Sequence, residues 1–178
     1  MNRLPFRATQ LASPYEALPP LPVSVLLDNV RSMYNVGSFF RTMDAASADR
    51  LLLTGITACP PHTGIGKTAL GAEETVRWEH ARDPLPLLQH LHEAGTQIAA
   101  IETTPHSVDL FDWEAVFPVC VIFGHEVDGI RPEVAARADV HIRIPMLGRK
   151  HSLNVATAGG VVLFELLRKF RQRHLAAS

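Results

Sequence analysis

Cysteine is scarce in this chain of 178 residues: Cys59 and Cys120 cannot build a disulfide framework, and neither has a partner at metal-ligand spacing. Both read as reduced structural thiols. Long hydrophobic runs are also lacking. The longest, Val119 to Phe123 and Val161 to Phe164, fall far short of the roughly 20 residues of a membrane-spanning helix. This excludes a helical membrane protein. Residues 1–22 lack the basic start, apolar stretch and small-residue cleavage site of a signal peptide, so the expected location is the cytoplasm. A positive excess is missing as well, because 17 Lys and Arg stand against 18 Asp and Glu for a formal net charge of −1. Bulk attraction to phosphate is thereby excluded, and any affinity for RNA must come from local patches. Two are visible: Arg143, Arg149, Lys150 and His151 around one loop, and Arg168, Lys169, Arg171, Arg173 and His174 near the end. The second patch is equally explained as a helix end favoured by the helix dipole. The nine histidines are scattered, and His90 and His92 fall on different faces of a helix, so no metal site is expected. Finally, no G-x-G-x-x-G follows the first apolar run, and ahead of the stretch TGIGKTAL Pro61 stands where a phosphate-binding loop needs glycine.

What is present is the composition of one soluble domain: 47% hydrophobic and 20% charged residues. Val23 to Leu27, Arg50 to Thr54, Gln97 to Ile101, Val119 to Phe123 and Val140 to Ile144 are short apolar runs, the pattern of strands buried on both faces. Between them lie helical stretches. Val36, Phe39, Phe40 and Met43 form one stripe, Asp83 and Pro84 start a helix that stops at Gly95, and a long helix runs from Leu153 to Gln172. This alternation predicts an α/β domain over 23–178, a mostly parallel sheet with helices on both faces, after an N-terminal extension at 1–22. Ligands bind such sheets beyond the carboxyl ends of the strands, which directs attention to the loops after Ile101, Phe123 and Ile144.

Three segments stand apart: NVRSMYNVGSFFRT (Asn29 to Thr42), FGHEVDGIRPE (Phe123 to Glu133) and IPMLGRKHSLNVATA (Ile144 to Ala158), the first two with the cores N-x-G-S-x-x-R-T and F-G-x-E-x-x-G. Singly, each reads as an ordinary cap, glycine turn or loop before a helix. In this order and spacing they resemble the three motifs of the SpoU or TrmH family of SPOUT RNA methyltransferases, over about Val23 to Phe170, and KTALGAE (Lys67 to Glu73) resembles a loop of the same proteins. The resemblance implies the α/β-knot fold, with a C-terminal trefoil knot. It also implies a homodimer and the transfer of methyl from S-adenosylmethionine to a ribose 2′-hydroxyl of structured RNA, leaving S-adenosylhomocysteine. By the same resemblance Arg41 is the catalytic arginine. Guanidinium stays protonated in proteins, so phosphate clamping and alkoxide stabilisation suit it better than a general-base role. Asn35 would support Arg41 or the target ribose, Glu126 would pair with Arg41, and Ser152 and Asn154 would hydrogen-bond across the same pocket. The cofactor is expected on Ile101, Thr103, Gly124, Ile144, Met146 and Leu153, with Gly124 allowing close approach.

The last helix carries its own argument for a dimer. Val161 to Leu167 leaves only Glu165 polar, so the helix needs cover on more than one side. About twenty residues precede the first strand, too few for a separate RNA-binding domain, and transfer RNA is therefore expected ahead of ribosomal RNA. Two other readings stay open: a non-catalytic RNA-binding module of the same fold, and a SPOUT enzyme that methylates a base.

Overall fold

The fold follows from strict alternation within strands that are buried on both sides. In the computed structural model, which describes residues 18–177, β1 (Leu21–Asp28) sends Val23, Val25 and Leu27 into one apolar core and Leu26 into another. β2 (Ala48–Thr54) divides Leu51 and Leu53 from Leu52 in the same way. β4 (Gln97–Ile101) and β6 (Val119–Phe123) continue the pattern: Ala99, Val119, Val121 and Phe123 face the first core, and Ile98, Ala100, Cys120 and Ile122 the second. Burial of the Cys120 thiol pushes its pKa up to about 12, so it behaves as a small apolar side chain.

Three further strands complete the sheet: β3 (Arg77–Ala81), β5 (Val108–Asp109) and β7 (Val140–Arg143). All seven pair in parallel in the order β3-β2-β1-β6-β4-β7-β5. The five strands expected from the sequence are present, and β3 and β5 are additions. β3 (RWEHA) is an exposed edge without apolar alternation, and β5 has only two residues.

The first core is covered by α1 (Met33–Ala46), α2 (Thr63–Ala69) and α5 (Val155–Ala177), the second by α3 (Leu85–Glu93) and the short α4 (Pro132–Ala135). Ser32, rather than Asn35, opens α1. Its Oγ accepts from the Asn35 amide (3.3 Å), leaving Asn35 in the first turn. Asp83 does cap α3, accepting from the Leu85 amide (3.0 Å), and Gly95 closes it at φ +82°. Where α5 crosses α1, a Cβ on Gly159 would stand 2.2 Å from the Phe39 ring, which itself packs on Phe123 at 5.1 Å between centroids. Gly159 thus serves packing inside the chain. α5 buries Val162, Leu163, Leu166 and Phe170 on the sheet and leaves Phe164 50% exposed.

The first strand begins at Leu21, two positions inside the expected extension, and residues 1–17 lie outside the described part. No helix among the described residues is long and apolar enough to cross a membrane.

Candidate active site

At the carboxyl edge of the sheet, the loops after β4, β6 and β7 and the start of α5 enclose a cavity of about 530 Å³. That volume is within the usual range for small-molecule sites, roughly 300–1,000 Å³. Ile101, Thr103, Gly124, Ile144, Met146 and Leu153, the expected cofactor residues, all line it, as do Glu126, Ser152 and Asn154.

One wall carries Glu126 and Asn154, which Asn35 joins into a hydrogen-bonded chain of three side chains without itself lining the cavity. The Glu126 carboxylate lies across the N-terminus of α1, accepting from the amides of Arg31 (3.2 Å) and Ser32 (3.1 Å) and from Asn35 Nδ2 (2.9 Å). Asn35 Oδ1 in turn accepts from Asn154 Nδ2 (3.2 Å). Asn154 Oδ1 accepts from the amides of Ala156 (3.0 Å) and Thr157 (3.2 Å), which makes it the N-cap of α5. An anion belongs at a helix N-terminus, where amides without a helical partner and the helix dipole both favour it. Partial burial raises the Glu126 pKa, but its own backbone amide, Asn35, Ser32 and Arg31 outweigh this and hold the carboxyl below its usual range. Glu126 is therefore an ionised lock between two helix starts, poorly suited to take up a proton.

Arg41 is placed elsewhere. It is exposed on α1, outside the cavity, and no described residue pairs with it. The expected contact between Glu126 and Arg41 does not form, because the α1 N-terminus and Asn35 hold the carboxylate. Asn35 likewise contacts Glu126 and Asn154 rather than Arg41. Gly124 serves a different need from the one expected: a Cβ there would stand 2.2 Å from the carbonyl carbon of Gly129, so the constraint is closure of the 124–129 loop, bridged by His125 and Gly129.

Glu102, His125 and Asp128, not singled out from the sequence, also line the cavity, together with His151 of the first basic patch. Asp28, fully buried at the end of β1, holds Arg131 just beyond the core of the second motif. A polar residue ending an otherwise apolar strand, at the edge where ligands bind, was the available signal for both Asp28 and Glu102. The two basic patches also separate. Near the C-terminus, Arg168 pairs with Glu165, Lys169 Nζ donates to the carbonyls of Leu110, Phe111 and Trp113, and Arg173 sits over the Phe117 ring. Arg149, Lys150 and His151 are instead exposed beside the cavity mouth. Among the described residues, no cluster of three or more His, Cys, Asp or Glu is placed to hold a metal ion.

A parallel α/β sheet with its cavity past the carboxyl ends of β4, β6 and β7 defines a class of small-molecule-binding domain. Within that class the chain belongs to the SpoU rRNA Methylase family, which matches residues 22–164. Over 150 residues it is 32% identical to the 23S rRNA (guanosine-2′-O-)-methyltransferase RlmB of Vibrio vulnificus, covering 83% of this chain and 60% of that protein. Over 149 residues it is 30% identical to the tRNA (guanosine(18)-2′-O)-methyltransferase of Aquifex aeolicus, covering 84% and 70%. Its fold matches the A. aeolicus TrmH/SpoU tRNA modifying enzyme with a TM-score of 0.79 at 27% identity, covering 88% of this chain and 79% of that one. The AdoMet-bound rRNA methyltransferase of Sinorhizobium meliloti matches at 0.75 and 31% identity, over 84% and 60%. The chain spans about 60% of the length of the first curated relatives it matches.

Proposed function

We propose that the protein is an S-adenosylmethionine-dependent methyltransferase acting on a ribose 2′-hydroxyl of structured RNA, as a homodimer in the cytoplasm. The observation that carries this reading is the Glu126–Asn35–Asn154 chain, which ties one polar residue from each family motif together, two of them lining the strand-end cavity. The donor set fits the cofactor: Ile144, Met146 and Leu153 offer apolar surface for a flat base, beside the polar groups of Glu102, Glu126 and Ser152. When bound, S-adenosylmethionine supplies an already activated methyl group.

The residues of the chain then have to position the hydroxyl and meet its developing charge. Asn35, held through Glu126 and Asn154, presents its remaining amide hydrogen and lone pair at a fixed place, and Ser152 adds a hydroxyl beside it. Arg41 clamps the RNA phosphate and stabilises the alkoxide with its fork of donors. Because Arg41 lies outside the cavity of its own chain, it serves the cavity of a second copy. The half-exposed Phe164 and the apolar groove it forms with Leu18, Leu21, Ala45 and Leu167 offer the surface on which that copy packs. The described residues from β1 onward act as one domain with a knotted C-terminal half. The exposed Arg149, Lys150 and His151 meet RNA at the cavity mouth.

Transfer RNA is the first expected substrate and ribosomal RNA the second. The test is transfer of labelled methyl from S-adenosylmethionine to unmodified tRNA and rRNA, followed by nuclease mapping. Labelled 2′-O-methylnucleosides are the expected product. Label on a base, or no label on either RNA, overturns the reading.

A further inference from the structure

Of the cavity's carboxylates, Glu126 is held at the start of α1 and Asp128 lies 2.9 Å from His125 Nδ1, which leaves Glu102 without a role so far. Glu102 directly follows β4, and its backbone is held on both sides: its amide donates to the Ile142 carbonyl (2.9 Å) and its carbonyl accepts from Ser107 Oγ (2.8 Å). Oε2 accepts from the Ile130 amide at 3.2 Å. A Cβ on Gly129 would stand 2.7 Å from this same oxygen, and Gly129 has φ +74°, so the 124–131 loop is shaped around the carboxylate. No described residue donates to Oε1. An ionised carboxylate is acceptor-only with about four lone-pair sites, and one half of this one is left for a ligand carrying O–H or N–H donors.

Its place in the sheet selects among those donors. The strand order β6-β4-β7 puts β4 between the loop that carries Gly124 and Glu126 and the loop that carries Ile144 and Met146. A nucleoside with its base against Ile144, Met146 and Leu153 and its reactive end at the Glu126–Asn35–Asn154 wall spans from β7 to β6, and its sugar then lies over β4. We propose that Glu102 accepts the ribose 2′- and 3′-hydroxyls of the cofactor's adenosine and so makes the site selective for a ribonucleoside ligand. The proposal rests on the reading that the cavity takes S-adenosylmethionine. A vicinal diol supplies two donors to one carboxylate, the pairing that acidic residues make with ribose at the strand-end sites of dinucleotide-binding sheets.

The test is calorimetric titration of the full chain with S-adenosylhomocysteine and with its 2′-deoxy and 3′-deoxy analogues, for the wild type, Glu102→Gln and Glu102→Ala. Loss of a hydroxyl that donates to a charged acceptor is expected to weaken wild-type binding roughly 10- to 100-fold. In Glu102→Ala, S-adenosylhomocysteine should bind as weakly as the analogues do, and Glu102→Gln should keep part of the preference. Equal wild-type affinity for all three ligands overturns the role of Glu102 and leaves the cofactor reading standing, as does full discrimination by a folded Glu102→Ala protein. A wild type that binds none of the three overturns the cofactor reading itself. Should either variant fail to fold, the wild-type series alone still decides.

Discussion

Asp28 and Arg131, 103 residues apart in the chain, form a bidentate pair in which Arg131 Nη2 donates to Asp28 Oδ1 at 2.7 Å and Nε reaches both carboxylate oxygens at 3.1 and 3.2 Å. The Arg131 amide also donates to Oδ2 (3.2 Å), so the end of β1 grips both backbone and side chain just where the 124–131 loop enters α4. Asp28 is wholly buried, whereas Arg131 is 36% exposed.

Removing the arginine leaves a buried charge with only the residue-131 amide (3.2 Å) and a long contact from Asn29 Nδ2 (3.4 Å), the costly half of such a pair. Arg131→Ala is expected to lose roughly 3 kcal/mol of stability, measured as a lower urea midpoint at unchanged slope. Arg131→Lys should recover only part of this, since a point charge cannot reproduce the fork. An Arg131→Ala midpoint within error of the wild type would show that the pair adds nothing.

Glu126 gives the stability curve an acid limb. Its pKa lies below the ordinary unfolded-state value of about 4.3 in the folded chain, so between the two values the unfolded chain binds more protons. The contribution is complete above the unfolded value and is lost as pH falls through the folded one. Glu126→Gln should be less stable than the wild type near neutral pH, with the gap closing as pH drops below about 4. Chemical denaturation at several pH values between 3 and 7 checks this, and a pH-independent gap would refute it.

Arg41→Ala should abolish methyl transfer while cofactor affinity stays nearly unchanged, because Arg41 is remote from the cavity. Asn154→Ala should weaken both, because its side chain caps α5 at the cavity wall and holds Asn35. Loss of one preorganised donor typically costs about 100- to 1,000-fold in rate. If Arg41 serves the cavity of a second copy, mixing the two inactive variants restores activity, since one cavity of each mixed dimer then has both residues. No recovery after subunit exchange would place both residues in the same chain's site.

Phe164→Glu puts a charge on the half-exposed apolar face of α5 without touching the cavity. The expected outcome is a folded monomer by light scattering that still binds S-adenosylhomocysteine but transfers no methyl. A variant that stays dimeric would remove this face from the interface.

How much of this could be read in advance varied with burial. β1, β2, β4 and β6 were legible because both their faces are dry, and dryness leaves a continuous apolar run, whereas β7 (VHIR) buries only Ile142 and showed through its β-branched residues. Arg77–Ala81 carries no such signature: as an edge strand it needs only its backbone to pair with β2, and its side chains answer to solvent. At the site, the residues of the three motifs were legible from their resemblance to a family, but their partners were not. Asn35 and Arg41 share one helix and one motif, yet six positions around a 3.6-residue turn separate their directions by about 120°. Only the fold reveals that Asn35 looks inward to Glu126 while Arg41 looks out.

The pairing of Val23 with Val119 also sets an order of events during synthesis. When β1 leaves the ribosome, the neighbour on its β6 side is still almost a hundred residues away, on the order of 5 to 20 s of translation. Throughout that interval one edge of an apolar strand and half of a future ligand site wait for a partner. β2 can dock on the other edge, but no shorter fragment can assemble the cavity wall, since Glu126 and Asn154 come later still. A complete cavity is thus reserved for chains that have been made at least as far as Asn154 and whose sheet has closed.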